Sequence, residues 1–290
     1  MSKKRLGKKL GVVVALSLLL GLGNVPNVSS AKALENDKSF EMLKDWYEDY
    51  KVNGNEVVAG DETETGGAVN HAAVTFYTGD VIFVVTERSR TNVAVDKVSI
   101  GYRAKKQRKY GDYYYGFVTC GHCIRDSWDS RVYGNLTNAK NGTGPIGYIL
   151  QSIYDGEVDA SFVRMADGYR VERKTKKGTW VYPNVQKVKP GDKVSMCGGM
   201  SGNITNKKIL AVDTFNRSIY DPTREEYRMF DGLMTTEKMG KAGDSGSAVY
   251  YMSSGKPYIV GIYIGADSRY GIGYVVPAGK INKKLGVTPY

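Results

Sequence analysis

Two cysteines and a histidine stand together in GFVTCGHCIRD, residues 116–126, and these residue types can perform three kinds of chemistry. Cys120 and Cys123 have the spacing of a redox dithiol. Thiolates and imidazole are also zinc ligands, although a structural zinc site normally needs four of them. His122 alone could act as a general base at the end of an apolar strand.

The rest of the sequence favours the third interpretation of His122. A redox dithiol normally opens a helix, yet IRDSWDSRVYGN after Cys123 has no sustained helical periodicity. A zinc site would have to recruit Cys197 and His71, because the chain has only three cysteines and two histidines. The sequence therefore predicts neither a metal nor an organic cofactor.

A candidate nucleophile for this base occurs in AGDSGSAVY, residues 242–250. Glycines flank Ser245 and a strand-like run follows, so a tight turn could expose the hydroxyl. The same turn could point the backbone N–H groups of Gly243 and Ser245 at one spot, as an oxyanion hole requires. An ordinary β-turn is an equally good interpretation of GDSG in isolation.

A serine nucleophile and its histidine also need an acid that orients the imidazole. Asp159 fits this role because it interrupts the apolar run EVDASFVRM, whereas Asp155 and Asp167 lie in glycine turns. An isolated aspartate at the start of a strand is usually a turn former or a surface ion partner. The joint presence of His122, Asp159 and Ser245 predicts a catalytic triad.

The pattern from about residue 72 onward predicts an antiparallel all-β protein. Short β-branched and aromatic runs such as VSIGYRA, YYYGFVTC and YIVGIYIGA are separated by turn residues. Helical periodicity returns only in PAGKINKKLGV, which predicts a short C-terminal helix. About 225 residues are sufficient for one large domain or two small ones.

The N-terminal region predicts export. Residues 1–33 combine a basic start, an apolar core too short to span a bilayer and an A-x-A-like cleavage site. Residues 34–65 carry a net charge of −7 and residues 66–290 carry +12. The acidic segment contains an amphipathic pattern that could pack on the basic body, although a loose acidic tail is the alternative.

The segments VTCGHC, VDASFV and AGDSGSAVY, in the order His, Asp, Ser, resemble the trypsin-like serine endopeptidases of the bacterial streptogrisin and α-lytic protease branch. The resemblance covers roughly Val98 to Tyr290. It implies two packed antiparallel β-barrels of the chymotrypsin type, with residues 86–175 as the first barrel and 176–290 as the second. The first barrel would carry the histidine and the aspartate, and the second the serine.

The resemblance also implies a substrate pocket walled by four residues: Met239, Ile264, Gly265 and Ala266. No acidic residue stands near Met239 at the expected base of the pocket, and no second histidine is available there. A trypsin-like preference for Arg or Lys and a glutamyl preference are therefore disfavoured, and apolar or aromatic side chains are expected.

Several positions depart from the family pattern. Ile264 replaces a serine that supports the catalytic aspartate, and Met196 replaces an arginine that neutralises the aspartate before the nucleophile. We therefore expect a cation from elsewhere to reach Asp244. Cys123 lacks its usual upstream disulfide partner, so Cys120 and Cys123 are expected to be buried thiols. A bridge between them would strain the strand that positions the histidine.

Together these patterns predict a secreted, extracellular and monomeric serine endopeptidase that hydrolyses peptide bonds through an acyl-enzyme. Residues 34–85 would be a pro-region that inhibits or assists folding of the zymogen until it is removed. No nucleic-acid motif and no membrane span is expected. The alternative is a catalytically inactive binding or adhesion module with the protease fold, which Ile264 and Met196 favour.

Overall fold

A computed structural model of the chain describes residues 73–124, 127–221 and 226–290. The expected signal peptide and most of the expected pro-region, with its amphipathic segment and His71, lie outside these residues. The described part consists mostly of strands, with two short helices. None of its helices is both long enough and apolar enough to cross a membrane.

The elements of the first half are strands β1 to β9 and one helix, α1. Their bounds are β1 Val74–Thr78, β2 Val81–Arg88, β3 Val93–Ser99, β4 Arg103–Gln107, β5 Tyr113–Thr119, β6 Arg131–Tyr133, α1 Leu136–Asn141, β7 Gly147–Tyr154, β8 Asp159–Met165 and β9 Tyr169–Thr175.

The second half continues with strands β10 to β19 and helix α2. Their bounds are β10 Tyr182–Val185, β11 Lys193–Gly198, β12 Gly202–Thr214, β13 Arg217–Asp221, β14 Glu226–Phe230, β15 Leu233–Glu237, β16 Ala248–Ser253, β17 Lys256–Asp267, β18 Ile272–Pro277, α2 Ala278–Leu285 and β19 Val287–Pro289.

Seven strands of the first half and β19 form an eight-stranded sheet in the order β19-β4-β5-β8-β7-β6-β2-β3. All its neighbouring strands are antiparallel. Strands β5 and β8 are neighbours in this sheet, with Thr119 opposite Ser161. Because β5 ends at Thr119 and β8 begins at Asp159, this register brings the CGHC segment next to the start of β8.

The second half closes into a six-stranded barrel. The sheet runs β10-β17-β16-β11-β12-β15-β18, and an additional pairing of β17 with β18 closes the ring of its last six strands. A separate hairpin of β13 and β14 projects from it. The predicted fold class, two packed antiparallel β-barrels with a short C-terminal helix, is confirmed.

One apolar core joins the two halves. Val118 and Phe162 from the first sheet pack in the same cluster as Ile262 and Val276 from the second. Helix α2 adds its buried face to this cluster, and Gly286, at a φ of 62°, ends the helix in the left-handed conformation that glycine tolerates. The strand β19 that follows pairs with β4, so the chain ends in the first sheet.

The N-terminal strands differ from the expected division of the chain. A pro-region ending at residue 85 would cut through β2, whose residues Ile82, Val84 and Val85 are fully buried. Strand β2 pairs with both β3 and β6, and β1 pairs in parallel with β9. A pro-region compatible with this sheet ends before Val74.

Replacing Ile82 by Ala tests whether β2 belongs to the folded domain. The substitution removes a fully buried side chain, so we expect a loss of about 2–5 kcal/mol in the free energy of unfolding. Val74→Ala, on a side chain that is 53% exposed in β1, should cost less than about 1 kcal/mol. Equal denaturant midpoints for the Ile82 variant and the wild type would contradict the packing of β2.

Candidate active site

Asp159 and His122 contact each other at the start of β8. The Asp159 Oδ2 atom lies 2.7 Å from His122 Nδ1. The side chain of Asp159 is 3% exposed and that of His122 is 20% exposed, so the carboxylate is buried while one edge of the imidazole reaches solvent. A buried carboxylate at Nδ1 fixes the orientation of the ring and favours a proton on that nitrogen.

Backbone amides hold the other oxygen of Asp159. Its Oδ1 accepts hydrogen bonds from Gly121 N at 2.6 Å and His122 N at 2.8 Å. Ile264, which stands where a supporting serine was expected, is 6% exposed and belongs to the apolar core. Two peptide N–H groups therefore support the carboxylate, and they come from the same segment as the histidine.

Gly121 makes this arrangement sterically possible. A Cβ atom at this position would lie 2.2 Å from Ile153 O and 2.9 Å from Ala160 N. These two atoms belong to the β7–β8 pair, in which Ile153 is opposite Ala160. Only a residue without a side chain lets the CGHC backbone approach the sheet closely enough to donate to Asp159.

Ser245 lies in a tight turn between β15 and β16. Gly243 has a φ of 89°, which disfavours any residue with a side chain. The amides of Asp244, Gly246 and Ser247 donate to carbonyl groups of the chain. Among the residues that the structure describes, the amides of Gly243 and Ser245 donate no hydrogen bond to the protein.

The serine turn packs against the end of β5, which carries the CGHC segment. A Cβ atom at Gly246 would lie 2.2 Å from Thr119 Oγ1 and 2.9 Å from Cys120 N. This close approach brings Ser245 to the same end of the seam as the His122–Asp159 pair. The structure therefore assembles all three predicted triad residues in one region.

Ser99, which the sequence analysis did not select, connects the two halves at this point. Its amide donates to Ser245 O at 2.8 Å and its hydroxyl donates to Gly243 O at 2.8 Å. The hydroxyl also accepts from Gly199 N at 3.0 Å. A fully buried serine at the end of an apolar strand was the available signal, but its partners lie more than 90 residues away in sequence.

The prediction that a cation reaches Asp244 is wrong for the described residues. Asp244 is fully buried, but no Lys, Arg or His in the described part of the chain forms an ion pair with it. Instead its carboxylate accepts four hydrogen bonds: from Met200 N, Ser201 N, Ser201 Oγ and Lys241 N, at 2.7, 3.0, 2.5 and 2.8 Å. Hydrogen bonds to an ionised carboxylate can compensate much of its desolvation.

Met196, at the position where an arginine was the family pattern, is an apolar side chain. It is fully buried and belongs to the second-barrel core with Met239 and Tyr263. A Cβ atom at Gly240 would lie 3.1 Å from Met196 Cε. The space of the missing arginine is therefore filled by the packed Met196 side chain. The Asp244 carboxylate is supported by the donors of residues 200, 201 and 241.

The four predicted pocket residues lie along neighbouring parts of the second barrel. Met239 and Ile264 are buried, and Gly265 and Ala266 are partly exposed. Gly265 pairs with Tyr274, and a Cβ atom at residue 265 would meet no atom within 4 Å. Met239 and Ala266 pack in one apolar cluster. Met239 and Ile264 thus belong to two different parts of the apolar core, and the space next to Gly265 is open.

The sequence analysis did not predict the aromatic side chains that lie near His122. The Tyr154 ring centroid lies 6.2 Å from that of His122 and 5.8 Å from that of Phe230. The Arg228 guanidinium lies 4.4 Å from the Tyr154 ring centroid, and its Nη1 atom donates to Tyr154 O at 3.1 Å. These contacts fix the β13–β14 hairpin beside the histidine.

Cys120 and Cys123 are both free thiols, and Cys197 is free and buried in β11. The ligand atoms of Cys120, His122 and Cys123 lie within 4.8 Å of one another. Three ligands fall short of a closed structural zinc site, and His122 Nδ1 already faces Asp159. The expectation that both cysteines are buried holds fully for Cys120, while Cys123 is partly exposed.

Replacing Asp244 by Asn tests the hydrogen-bonded carboxylate. The Asn amide group would point a donor at atoms that themselves donate, so we expect a loss of about 2–4 kcal/mol in the free energy of unfolding. Asp112→Asn is the control, because this side chain is 70% exposed and accepts one backbone N–H. A cost no larger than that of the control, measured by denaturant unfolding, would argue against a structural role for the charge.

Comparisons with known proteins give structural matches alone. No protein-family model matches the sequence, and no curated protein matches it. The Nocardiopsis protease NAPase is 19% identical with a TM-score of 0.52, covering 74% of this chain and 99% of its own. Cellulomonas bogoriensis chymotrypsin is 21% identical with a TM-score of 0.51, covering 74% and 98%.

A third similar structure is described as a glutamic acid specific serine protease that uses a histidine triad in substrate binding. It is 18% identical, with a TM-score of 0.54, and the match covers 74% of this chain and all of that one. These structural matches establish the fold of this chain. Because the sequence identities are low, they do not show that the chain shares an activity. With its two packed barrels, the chain has the chymotrypsin fold of the bacterial serine proteases.

Proposed function

We propose that this protein is a serine endopeptidase. The observation that carries the proposal is the pair of backbone amides, Gly243 N and Ser245 N, which donate no hydrogen bond within the described chain while the amides of the neighbouring turn residues do. These are the two donors that the sequence assigned to an oxyanion hole. They lie beside a His122–Asp159 pair with a 2.7 Å contact.

In the proposed reaction, Ser245 Oγ attacks the carbonyl carbon of a peptide bond and forms an acyl-enzyme. His122 takes the hydroxyl proton and returns it to the leaving amine, then repeats the transfer with water. Asp159 keeps the imidazole in the required tautomer and stabilises the imidazolium. The amides of Gly243 and Ser245 stabilise the negative oxygen of each tetrahedral intermediate. The reaction uses no metal or organic cofactor.

The apolar surroundings of Met239 support a preference for apolar or aromatic side chains before the cleaved bond. Met239 is 2% exposed among Val194, Val249 and Val260 in the second-barrel core. A glutamate-specific site of the histidine-triad kind described for the similar protease is disfavoured. This chain has two histidines in all, and His122 is assigned to the base.

Export and synthesis as a proenzyme also belong to the proposal. The basic start and apolar core of residues 1–33 support export. The net charge of −7 on residues 34–65 supports an acidic pro-region that is attracted to the basic body. The pairing of β1 and β2 supports a cleavage site before Val74.

The alternative, an inactive binding module, was based on Ile264 and Met196, and other groups of the chain supply support at both places. Backbone amides supply the support for Asp159 that Ile264 does not give. Hydrogen bonds from residues 200, 201 and 241 supply the support for Asp244. The similar structures give no support for an inactive protein either.

A fluorophosphonate probe tests the proposed nucleophile. We expect the folded wild-type protein to be labelled on Ser245 at neutral pH, as located by peptide mass, and the Ser245→Ala protein to remain unlabelled. Ser247→Ala is the matched control, because Ser247 is fully buried two residues away and should not be needed for labelling. Labelling that persists in urea, or that occurs on Ser247, would count against an activated Ser245.

A digest of an unfolded, reduced protein substrate tests the proposed specificity. We expect cuts mainly after apolar or aromatic residues, because an uncompensated charge would lose its hydration in the apolar pocket. Widening the pocket by Met239→Ala should shift the preferred residue toward larger aromatic side chains. Cuts mainly after Arg, Lys or Glu, identified by mass spectrometry of the peptides, would show that the pocket is not the surface around Met239.

A further inference from the structure

The CGHC segment contains a thiol pair that the proposed proteolysis does not use. The sulfur atoms of Cys120 and Cys123 lie within 4.8 Å of each other. Cys120 is fully buried, whereas Cys123 is partly exposed. Cys123 is therefore the residue of the pair that lies nearer to solvent.

The two cysteines lie in a turn and not in a strand. Strand β5 ends at Thr119, before the first cysteine. A turn follows, closed by a hydrogen bond from Ile124 N to Gly121 O at 3.1 Å. Both cysteines therefore lie outside β5, and the expectation that a bridge would strain the segment that positions the histidine stays a prediction.

The pKa values of the two thiols are shifted in opposite directions. Burial by itself would raise the pKa of Cys120, but the hydrogen bond from Cys123 and the proximity of His122 lower the pKa of Cys120 below its ordinary value. The shared hydrogen bond and burial raise the pKa of Cys123. The pair thus shares its remaining proton after the first ionisation, as coupled dithiols do.

The same segment holds the catalytic carboxylate. The two peptide N–H groups that lie between the sulfur atoms, those of Gly121 and His122, are the donors to Asp159 Oδ1. Any movement that closes the ring from Cys120 to Cys123 acts directly on these two bonds. It also acts on His122, which immediately precedes Cys123 in the chain.

We propose that Cys120 and Cys123 form a modification site at which a low-molecular-weight disulfide oxidises the pair and reversibly lowers the reactivity of Ser245. The proposal rests on the serine endopeptidase function for its kinetic consequence. The dithiol form is the competent one, because the structure with free thiols has short Asp159–His122 and Asp159–amide contacts.

The chemistry is two successive thiol–disulfide exchanges. The coupled pair loses one proton, and when the remaining proton lies on Cys120 the Cys123 sulfur attacks one sulfur of the small disulfide RSSR, which releases one RSH and leaves a mixed disulfide. Cys120 loses its proton and attacks Cys123 Sγ, which releases the second RSH. The two cysteines lose two electrons and two protons, and one RSSR becomes two RSH.

Packing determines which side of the ring moves when the sulfur atoms approach covalent distance. Gly121 is confined by Ile153 O and Ala160 N, and Cys120 is fully buried. The partly exposed Cys123 must therefore shift, and His122 shifts with it. A displacement of a catalytic base by about 1 Å can reduce a rate by about a hundredfold.

The Ser245→Ala protein tests the structural step without any proteolysis. It is equilibrated with oxidised glutathione or with dithiothreitol, and the 116–126 region is examined for the loss of two hydrogen masses. Proton NMR then follows the low-field resonance of the His122–Asp159 hydrogen bond, which is easy to assign because the chain has two histidines. We expect the disulfide to form and this resonance to shift or disappear on oxidation and return on reduction.

Fluorophosphonate labelling tests the kinetic step in the wild-type protein. We expect the oxidised protein to be labelled about ten- to a hundredfold more slowly than the reduced one. Cys123→Ser removes one sulfur and keeps a hydrogen-bonding group, so its labelling rate should be the same in both redox buffers. Cys197→Ser is the matched control and should respond like the wild type, because that cysteine lies in β11.

The outcomes separate this inference from the proposed function. Failure of the disulfide to form, an unchanged low-field resonance, or equal labelling rates of the two wild-type forms each overturns the inference, while labelling of Ser245 leaves the protease function intact. Absence of labelling in both redox states, together with the expected NMR change, refutes the protease function and retains the link between the thiol pair and His122.

Discussion

The candidate site depends on the contact between the serine turn of one barrel and a strand end of the other. Gly246 approaches Thr119 and Cys120 so closely that a single methyl group would not fit. Ser99 connects the same turn through its amide and its hydroxyl. In the proposed mechanism the nucleophile and its base must meet within hydrogen-bonding distance, and Ser245 and His122 come from two barrels that contact each other through backbone groups.

Backbone donors replace side-chain support at two buried carboxylates. Asp159 is held by the amides of the CGHC segment, and Asp244 mainly by the amides of the 200–201 turn and Lys241. Peptide N–H groups are rigid and cost no side-chain entropy, so they can support a carboxylate where a serine or an arginine is missing. This explains how Ile264 and Met196 are compatible with an ordered site. It also makes the site sensitive to any change in the short segments that donate.

The CGHC segment combines three tasks in four residues. It supplies the imidazole, it supplies both amide donors to the carboxylate, and its two sulfur atoms bracket these groups. In a site supported by side chains, the thiols could react without touching the acid. Because the support comes from the peptide groups between the cysteines, the redox state of the sulfur atoms and the alignment of the histidine are mechanically connected.

The sequence by itself determined the fold class, the short C-terminal helix and the residues of the candidate triad. These follow from local signals: alternating apolar strands, a GDSG turn, and an aspartate that interrupts the apolar run of β8. The His122–Asp159 contact could be anticipated, because both residues stand at the ends of strands that a β-sheet can pair.

Tertiary structure alone decided which groups compensate the buried carboxylates and which strands pair with β1 and β2. Ser99 and Met200 reach the serine turn from 144 and 44 residues away in sequence, and no local pattern marks such partners. The same is true of β1 and β2, which pair with β9, β3 and β6. Hydrogen-bond donors and strand partners are chosen by proximity after the chain has packed, whereas strand periodicity is set by each segment alone.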